Sequence, residues 1–555
     1  MRGVNDPAGE VRSTHRGTLA PMRHPSLRGR RTPAVAAAVM GGLLAACDLG
    51  GGEAAPTRSA TLVVARPTDS VSLDPARVTD AESAEVNLLI YDTLVRHRPE
   101  SGALAPSLAT SWSVDDAGTT WTFHLRPDVR FSDGTAVDAA AVVWNIARQV
   151  DPAHPFHRGH FAGWDASVIE LARLEVVDAR TVRIVLAAPY APFLASLSRA
   201  PMAIVSPAGV AAAGDGFPRQ PVGSGPYRLE AWTPGARLTL VRNPGYWGPR
   251  PSFARLVFQA EPDPRQRLAE LESGAVDLAR GVRPDELGFV ALHPGLVVQR
   301  PPSHNVVYLA FHCGRAPFAD REVRAAIARA IDKVAIVRAV YHELAIPASS
   351  PVPPTEWGHH HDPELAPDLA AARAALAARA AAGAIDLRRT YRLYLPSTPR
   401  SYLPDPEALA RALRTNLEQV GLRIEVVMQP IERHRADTGL GLHDLAVFGW
   451  AGDLDDPDDY LSLLSSHAIG PTWSRNIAFY REPEVDDLLT RARRERARPA
   501  RAALYVDLQR RLARDLPWVP LAHTQSAIAA RDDLSGIFVG RGGVIDYASV
   551  QRTAR

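Results

Sequence analysis

The stretch Pro406-Glu-Ala-Leu-Ala-Arg-Ala-Leu-Arg-Thr-Asn-Leu-Glu-Gln-Val420, followed by Gly421 and then Leu422-Arg-Ile-Glu-Val-Val-Met428, establishes the fold class. Its first part has leucine and alanine at helical spacing and predicts an amphipathic helix, which Gly421 ends. Its last part is rich in β-branched residues and predicts a strand. A helix that passes through one glycine into a strand is typical of a mixed α/β protein.

The same alternation extends along most of the chain. Residues 61–65 form an apolar run that predicts a buried strand, and residues 81–95 have apolar side chains at helical spacing. We expect strand 518–522 to return to the lobe that begins with residues 61–65. Further strands are predicted at 119–125, 181–186 and 445–448, and further helices at 136–149, 322–340, 368–382 and 484–516, the last broken near Pro499.

Composition limits the possible functions. The chain has 555 residues, 46% hydrophobic and 22% charged, which is globular and long enough for two or three lobes. Seven arginines and two acidic residues precede residue 47, so the remainder holds 56 basic and 59 acidic residues. That balance excludes the basic excess of a nucleic-acid-binding protein. The two cysteines, Cys47 and Cys313, exclude a disulfide scaffold and a four-cysteine zinc site.

Residues 1–46 have the organisation of a secretory signal peptide. Arginines precede an apolar stretch of about 13 residues, which is shorter than the roughly 20 residues needed to span a bilayer. Leu44-Ala45-Ala46-Cys47 resembles the bacterial lipobox, in which the cysteine is acylated and becomes the first residue of the mature chain. We therefore expect a lipid on Cys47 and a flexible tether over 47–59, with translation starting at Met1 or Met22.

The sequence contains no recognisable catalytic motif. The sole lysine, Lys333, lies outside any Gly-x-x-x-x-Gly-Lys phosphate loop, and Val222-Gly-Ser-Gly-Pro226 has the wrong spacing for a Gly-x-Ser-x-Gly nucleophile elbow. We expect neither catalysis nor a cofactor. A secreted hydrolase is the remote alternative.

Two groups of histidines are candidates for metal binding. His154, His157 and His160 are spaced three apart, and His359, His360 and His361 are consecutive. Proline and glycine surround both groups, which indicates loops with solvated histidines. We expect no metal at either group.

The acidic run from Asp453 to Asp459 is a candidate ligand site. It does not match a calcium loop, because Asp458 occupies the position where that loop has glycine. We expect Asp458 and Asp459 to lie in a solvated turn. Asp453 directly follows Gly449-Trp450-Ala451-Gly452, a segment that allows close backbone approach beside a large aromatic ring, and this setting suits a carboxylate that faces a ligand.

Several separated motifs resemble the extracytoplasmic solute-binding proteins, family 5, of ABC importers, the peptide/nickel class. They follow the family's order from about residue 60 to about residue 525, which is nearly the whole chain after the signal peptide. The motifs are Leu73-Asp-Pro-Ala76, Tyr91-Asp-Thr-Leu-Val95, Leu104-Ala-Pro-Ser-Leu-Ala-Thr-Ser-Trp112, Trp121-Thr-Phe-His-Leu-Arg126, Val129-Arg-Phe-Ser-Asp-Gly-Thr135, Gly223-Ser-Gly-Pro-Tyr227, Asn243-Pro-Gly-Tyr-Trp-Gly248, Leu271-Glu-Ser-Gly-Ala-Val-Asp277 and Val323-Arg-Ala-Ala-Ile327.

Within that class the chain is most similar to dipeptide-binding proteins, through Pro399-Arg400-Ser-Tyr-Leu-Pro404 and Gly449-Trp-Ala-Gly-Asp-Leu-Asp-Asp-Pro457 among others. The resemblance implies that Asp453 holds the α-ammonium of a peptide and Arg400 its α-carboxylate. It also implies that Trp450 forms a wall of the pocket and that the backbone of Ala451 and Gly452 lies close to the ligand. A core position for Trp450 is the alternative.

The resemblance further implies a periplasmic-binding-protein-like type II (cluster C) fold, with two main lobes, a hinge and an inserted domain. We expect lobe I over 60–96, 206–305 and 520–555, the inserted domain II over 97–205, and lobe III over 306–519. The implied function is capture of short peptides, most simply dipeptides, on the periplasmic or extracytoplasmic face, and their delivery to an ABC permease with its ATPase subunits. We expect a lipid-anchored monomer, and a nickel chelate, heme or glutathione is the alternative ligand within the same fold.

Overall fold

The computed structural model describes residues 60–98, 101–158, 169–301, 304–361 and 366–553. Residues 1–59, over which a signal peptide, a lipid on Cys47 and a tether are expected, lie outside the described residues, so these expectations stay predictions. No helix in the described part of the chain combines the length and apolar character that crossing a bilayer requires.

The helices of the described residues are α1 (Ala81–Ile90), α2 (Ala139–Val150), α3 (Phe193–Ser196), α4 (Pro207–Ala213), α5 (Pro264–Glu272), α6 (Leu287–Leu292), α7 (Arg321–Ala330), α8 (Lys333–Ile336), α9 (Leu369–Ala381), α10 (Pro406–Gln419), α11 (Ile431–Gly439), α12 (Asp458–Leu461), α13 (Pro483–Arg494) and α14 (Arg498–Asp515).

The strands of the same residues are β1 (Thr61–Arg66), β2 (Val95–His97), β3 (Leu104–Pro106), β4 (Ala109–Val114), β5 (Thr120–Leu125), β6 (Leu171–Asp178), β7 (Thr181–Leu186), β8 (Tyr227–Thr233), β9 (Arg237–Arg242), β10 (Arg255–Ala260), β11 (Leu278–Arg280), β12 (Leu296–Gln299), β13 (Asn305–Phe311), β14 (Ala345–Pro347), β15 (Thr390–Pro396), β16 (Arg423–Gln429), β17 (Leu445–Ala451), β18 (Trp518–Thr524), β19 (Ile528–Arg531), β20 (Leu534–Ser535) and β21 (Gln551–Arg552). The mixed α/β class is confirmed.

The first sheet collects strands from distant parts of the chain, in the order β12-β19-β11-β1-β10-β9-β8 among the described residues. β1 pairs in parallel with both β10 and β11, and β19 pairs antiparallel with β11 and β12. Leu62 and Val64 face one apolar core and Ala65 faces another. Because both faces of β1 are covered, its sequence is a nearly continuous apolar run.

A second large sheet has the order β14-β18-β13-β17-β15-β16 in the described residues. All of β13 is buried, with Val307 and Leu309 in one core and Val306 and Tyr308 in the other. Its partner β17 pairs antiparallel with it and places Gly449 opposite Val307. This central pair matters for function because β17 leads directly into the acidic run.

A third sheet, β4-β5-β7-β6, is antiparallel throughout. Phe123 of β5 and Ile184 of β7 are fully buried in its core, on which α2 packs through Val142. The three sheets are therefore separate layers with their own cores. The lobe boundaries given above stay predictions.

The helix–glycine–strand unit has the predicted form, since α10 ends at Gln419 and β16 begins at Arg423. Gly421 lies between them with φ +90°, a conformation that favours glycine. Helices α13 and α14 are also confirmed. The break between them precedes Pro499, which lies in the first turn of α14.

Three sequence expectations are wrong in detail. The helix expected over 81–95 ends at Ile90, because Tyr91 is extended and its hydroxyl donates to the Leu73 carbonyl at 2.7 Å. The helix expected over 322–340 stops after Ala330, and Asp332 caps the new helix α8 by accepting from the amide of Ala335 at 2.9 Å.

The third concerns strand 518–522. It is part of β18, which pairs with β13 and β14 in the second sheet and does not return to the first. The strand that does return is β19, a few residues later. Its short apolar run, Ile528–Arg531, pairs with two strands of the first sheet, which no local pattern indicates.

Candidate functional site

A cavity of about 2160 Å³ is lined by residues from the chain segments that carry all three sheets, among them Glu85, Tyr190 and Trp450. This volume exceeds the roughly 300–1,000 Å³ of an ordinary small-molecule pocket. A small ligand would therefore fill only a part of it. Charged groups in fixed positions, more than the overall shape, must select what binds.

The strand β17 brings an aromatic ring and a carboxylate to one wall of this cavity. Trp450 and Ala451, at its end, line the cavity, and so does Asp453 two residues later. Gly449 lies under the ring of Tyr402, since a Cβ at that position would come within 2.2 Å of the ring. Only glycine permits this close packing of Tyr402 on the strand.

The turn that holds Asp453 is built around the buried side chain of Asp459. One oxygen of Asp459 accepts from the backbone amides of Asp453 and Leu454 at 2.9 and 3.0 Å, and the other accepts from the indole of Trp450 at 3.0 Å. Burial, and next the negative charge of Asp453, raise the pKa of Asp459 to about 7. Asp459 thus fixes both the carboxylate and the aromatic ring that face the cavity.

Asp453 forms an ion pair that the sequence does not reveal. The Nε of Arg199, which lies between α3 and α4, donates to Asp453 Oδ2 at 2.9 Å. The other carboxylate oxygen, Oδ1, is buried and has no hydrogen-bond partner in the described residues. Arg199 also lines the cavity. Asp453 therefore has one oxygen that accepts from Arg199 and a second oxygen without a hydrogen-bond partner in the described residues.

Arg400 lies on a tight turn after β15, where its backbone exchanges two 2.9 Å hydrogen bonds with Leu403. It lines the same cavity as Asp453 and is half-buried. Its Nε is buried without a hydrogen-bond partner in the described residues. Burial raises the pKa of the adjacent Tyr402, and the charges of Arg400 and Arg435 oppose that rise. The guanidinium also hydrogen-bonds Tyr402 and is a cation at the cavity wall that pairs with no carboxylate of the described residues.

The structure brings four of the five expected ligand residues, Asp453, Arg400, Trp450 and Ala451, to one cavity. Gly452 has a structural position instead. Its amide donates to the His304 carbonyl at 2.6 Å, and its carbonyl accepts from the amide of Gly542 at 2.7 Å. The shared cavity shows where these four residues lie, and their roles in binding a ligand are taken up as proposals below.

Asp456, Asp458 and Asp459 are all buried, the first two in ion pairs and Asp459 in hydrogen bonds to amides and an indole, so the expectation of a solvated turn at Asp458 and Asp459 is wrong. Asp458 is 2% exposed and accepts from Arg493 at 2.8 Å, and Asp456 pairs with Arg501 at 2.6 Å. Both arginines come from the α13–α14 region. These partners lie 35 to 45 residues away in sequence, which explains why local charge density indicated solvent exposure.

A second arginine missed by the sequence holds the same turn from the C-terminal side. Arg541 forms an ion pair with Asp455 at 2.5 Å and another with the buried Glu356, which also contacts His304 at 3.0 Å. Burial opposes ionisation of Glu356, but hydrogen bonds from His304 and the charge of Arg541 hold its pKa below the ordinary value. The turn that carries Asp453 is therefore fixed on two sides.

The histidine groups are engaged with the protein itself. His157 bonds the carbonyl of Arg148, and His359 bonds the carbonyl of Val352, both through Nδ1. His154 accepts from the amide of Phe156, and His160 lies outside the described residues. Among the described residues, no cluster of three or more histidine, cysteine or acidic side chains is arranged to hold a metal ion.

The sequence model of a protein family, described as bacterial extracellular solute-binding proteins, family 5 Middle, matches residues 103–471. The chain belongs to that family. The fold class expected from the resemblance is thereby confirmed. Family 5 consists of solute-binding proteins and not of enzymes.

Relatives of this solute-binding protein are named for different ligands. Heme-binding protein A of Haemophilus influenzae is 31% identical over 78% of this chain and 82% of its own length. Di/tripeptide-binding protein 2 of Pseudomonas aeruginosa is 29% identical over 83% of this chain and 89% of its own. The solved structure of the periplasmic binding protein DppA from Helicobacter pylori, in complex with the peptide STSA, is 28% identical, with a TM-score of 0.80, and covers 89% of this chain and 98% of that one.

Proposed function

We propose that this protein captures short peptides, most simply dipeptides, and delivers them to an ABC permease with its ATPase subunits. On this proposal it works on the extracytoplasmic face, held to the membrane by a lipid on Cys47, and it closes two lobes around the peptide about a hinge. Asp453 holds the peptide ammonium and Arg400 holds its terminal carboxylate. Relatives named for di- and tripeptides support the choice of ligand.

One observation carries the proposal: a carboxylate and a guanidinium line one cavity, each with a buried polar atom that lacks a partner in the described residues. These are Asp453 Oδ1 and Arg400 Nε. A peptide buried between two lobes loses water from both charged ends, so each end needs a fixed opposite charge. An aspartate accepts from an ammonium, and an arginine presents a planar fork to a carboxylate.

The two residues also define a length. Two residues of extended chain span roughly 7 Å at about 3.3–3.6 Å each, so a fixed separation between the anchors would select peptides by their length. Side chains would project into the remaining volume of the cavity. This arrangement tolerates many side chains but few lengths, as a general importer of dipeptides requires.

Titration of blocked and free peptides tests the proposal. Asp453→Asn should weaken binding of a free dipeptide by about 2–5 kcal/mol, because the ammonium then lies in a buried site without a counter-charge. An N-acetylated dipeptide should bind the wild type poorly and lose little further in Asp453→Asn. Arg400→Lys should weaken free dipeptides, because a point charge does not replace the fork, and a C-amidated dipeptide should be insensitive to that change.

Asp487→Asn is the matched control, because Asp487 is exposed on α13 and lies outside the cavity. It should leave every affinity unchanged. Equal losses for free, acetylated and amidated peptides in both site variants would show that Asp453 and Arg400 act through folding or closure. The assignment of the two peptide ends would then be abandoned.

Heme is a second candidate ligand, favoured by the size of the cavity and by the relative named heme-binding protein A. Two cavity-lining histidines have bonded ring nitrogens: His97 contacts Gly102 and Ser198, and His304 contacts Glu356. Both ring nitrogens of His97 are thus occupied, whereas the Glu356 contact of His304 uses only Nδ1, and a carboxylate on that nitrogen is compatible with metal ligation through Nε2. A third histidine of the cavity lining, His467, is exposed. A heme titration followed by its absorption band, repeated with excess dipeptide, separates the candidates, since competition is expected only for a shared site.

A further inference from the structure

The pair of Arg199 and Asp453 changes the charge of the site that would receive the peptide ammonium. The two side chains are 22% and 37% exposed, and the Nε–Oδ2 distance is 2.9 Å. An aspartate alone would give this end of the cavity a negative charge. Together with its arginine the pair is neutral, so the pair by itself does not balance the positive charge of a bound ammonium in this partly desolvated site.

Both partners have hydrogen-bonding capacity left. Asp453 Oδ1 is buried and has no hydrogen-bond partner among the residues that the structure describes. For Arg199, the Nε contact is the sole side-chain hydrogen bond found within the described residues, and a guanidinium has five N–H donors. One acceptor oxygen and the terminal nitrogens of the arginine thus remain available beside each other.

The neighbouring carboxylates are already engaged by other groups of the protein. Asp455 is engaged by Arg541 at 2.5 Å. Asp458 accepts from Arg493 at 2.8 Å and from the hydroxyl of Tyr190 at 3.3 Å. Asp459 lies beside Asp453, and its two oxygens already accept hydrogen bonds from two amides and an indole within the turn. Arg199 is therefore the cation at this end whose remaining donors a ligand would meet.

Resting on the function proposed above, we propose that Arg199 and Asp453 together bind an N-terminal residue that has a side-chain carboxylate beside its ammonium. The ammonium donates to Asp453 Oδ1, and the side-chain carboxylate accepts from the terminal nitrogens of Arg199. The ligand class is then peptides that begin with aspartate or glutamate. For such a residue the bound end is electrically balanced, with two cations and two anions in contact.

The experiment compares acidic peptides with their uncharged counterparts of the same shape. Isothermal titration of the wild type uses Asp-Ala, Asn-Ala, Glu-Ala, Gln-Ala and Ala-Ala, and repeats the series with Arg199→Gln, Arg199→Lys and the control Arg180→Gln. Arg180 is an exposed arginine between β6 and β7 that does not line the cavity. Thermal melting of each variant establishes that it is folded.

The wild type should bind Asp-Ala or Glu-Ala roughly ten- to a hundredfold more tightly than the matching amide, the range expected for one charge-assisted contact. In Arg199→Gln that ratio should fall to about one, while Ala-Ala binds as well or better, because Asp453 then has a full negative charge. Arg199→Lys should retain a part of the preference, and Arg180→Gln should retain all of it.

Two results overturn the inference and leave peptide binding intact. The first is a wild type that binds acidic and amide peptides equally. The second is an Arg199→Gln variant that binds acidic and uncharged peptides more tightly by the same factor, which would show that Arg199 merely occupies the ammonium site of the empty protein. If none of the peptides binds the wild type, the proposed function itself fails, and the inference fails with it.

Discussion

Replacing His443 by glutamine should reduce the pH dependence of stability by a defined amount. His443 is fully buried, and its Nε2 contacts the carbonyl of Ile477 at 2.9 Å, which requires the proton on that nitrogen. Burial, and next the nearby His312 at 5.4 Å between ring centroids, lower the pKa of His443 to about 3. The folded protein therefore keeps this imidazole neutral as the pH falls towards about 3. The unfolded chain already protonates it below about pH 6.5.

The magnitude follows from the difference between the two pKa values. In the unfolded chain the pKa of histidine is about 6.5, so the stabilisation is fully present above that pH and is lost as the pH falls towards the folded value. At pH 5, about 1.5 units below the unfolded pKa, one such histidine has lost about 2 kcal/mol of stability. Glutamine can still donate to Ile477 but does not titrate, so the stability deficit of His443→Gln should shrink by about 2 kcal/mol between pH 7.5 and pH 5.

Urea unfolding of both proteins at several pH values between 7.5 and 5 measures this difference. Comparison with the wild type at each pH removes the contribution of every other titrating group. His124→Gln is the matched control for the change from histidine to glutamine, because His124 is exposed on β5. A deficit of His443→Gln that is constant across the range would refute the argument, since it would mean that the imidazole titrates alike in both states.

Cys313 is half-buried and burial raises the pKa of its thiol to about 11, so maleimide at pH 7 should label the native protein far more slowly than the protein in urea, and equal rates would contradict this. Gly452→Ala should destabilise the protein by about 1–3 kcal/mol and weaken peptide binding, because the new Cβ would lie 2.0 Å from the hydroxyl of Tyr460; unchanged urea unfolding would be inconsistent with that packing. Cys47→Ser should leave the protein unprocessed or released from membranes, which fractionation and immunoblotting measure, and normal processing with membrane retention would rule out the lipid anchor.

Much of the fold can be predicted from sequence because its units are local. Helix α10, Gly421 and strand β16 lie next to each other in the chain, and the helical period, the φ of +90° and the β-branched run are properties of a few residues each. The boundary at Ile90 could not be predicted in the same way. Apolar spacing continues through residue 95, and a tertiary hydrogen bond from Tyr91 to Leu73 determines where the helix ends.

The candidate site shows the same division. Trp450 and Asp453 are indicated by a short segment of β17 and its following turn, and Arg400 by a motif. Arg199 is separated from Asp453 by 254 residues. The sequence around Arg199 contains no motif that identifies it as the partner of Asp453. The charge state of a pocket depends on which distant residues the fold brings together, so the ligand's charge is the property that sequence predicts least well.

The first sheet has a consequence for how the molecule is made. Strand β11 ends at Arg280, but β19, which covers one of its edges, begins 248 residues later at Ile528. At a synthesis rate of about 5–20 residues per second, that edge stays open for about 12–50 seconds. An open strand edge pairs readily with other chains. The nascent protein therefore passes through a long aggregation-prone interval in which a chaperone that shields β11 would raise its yield.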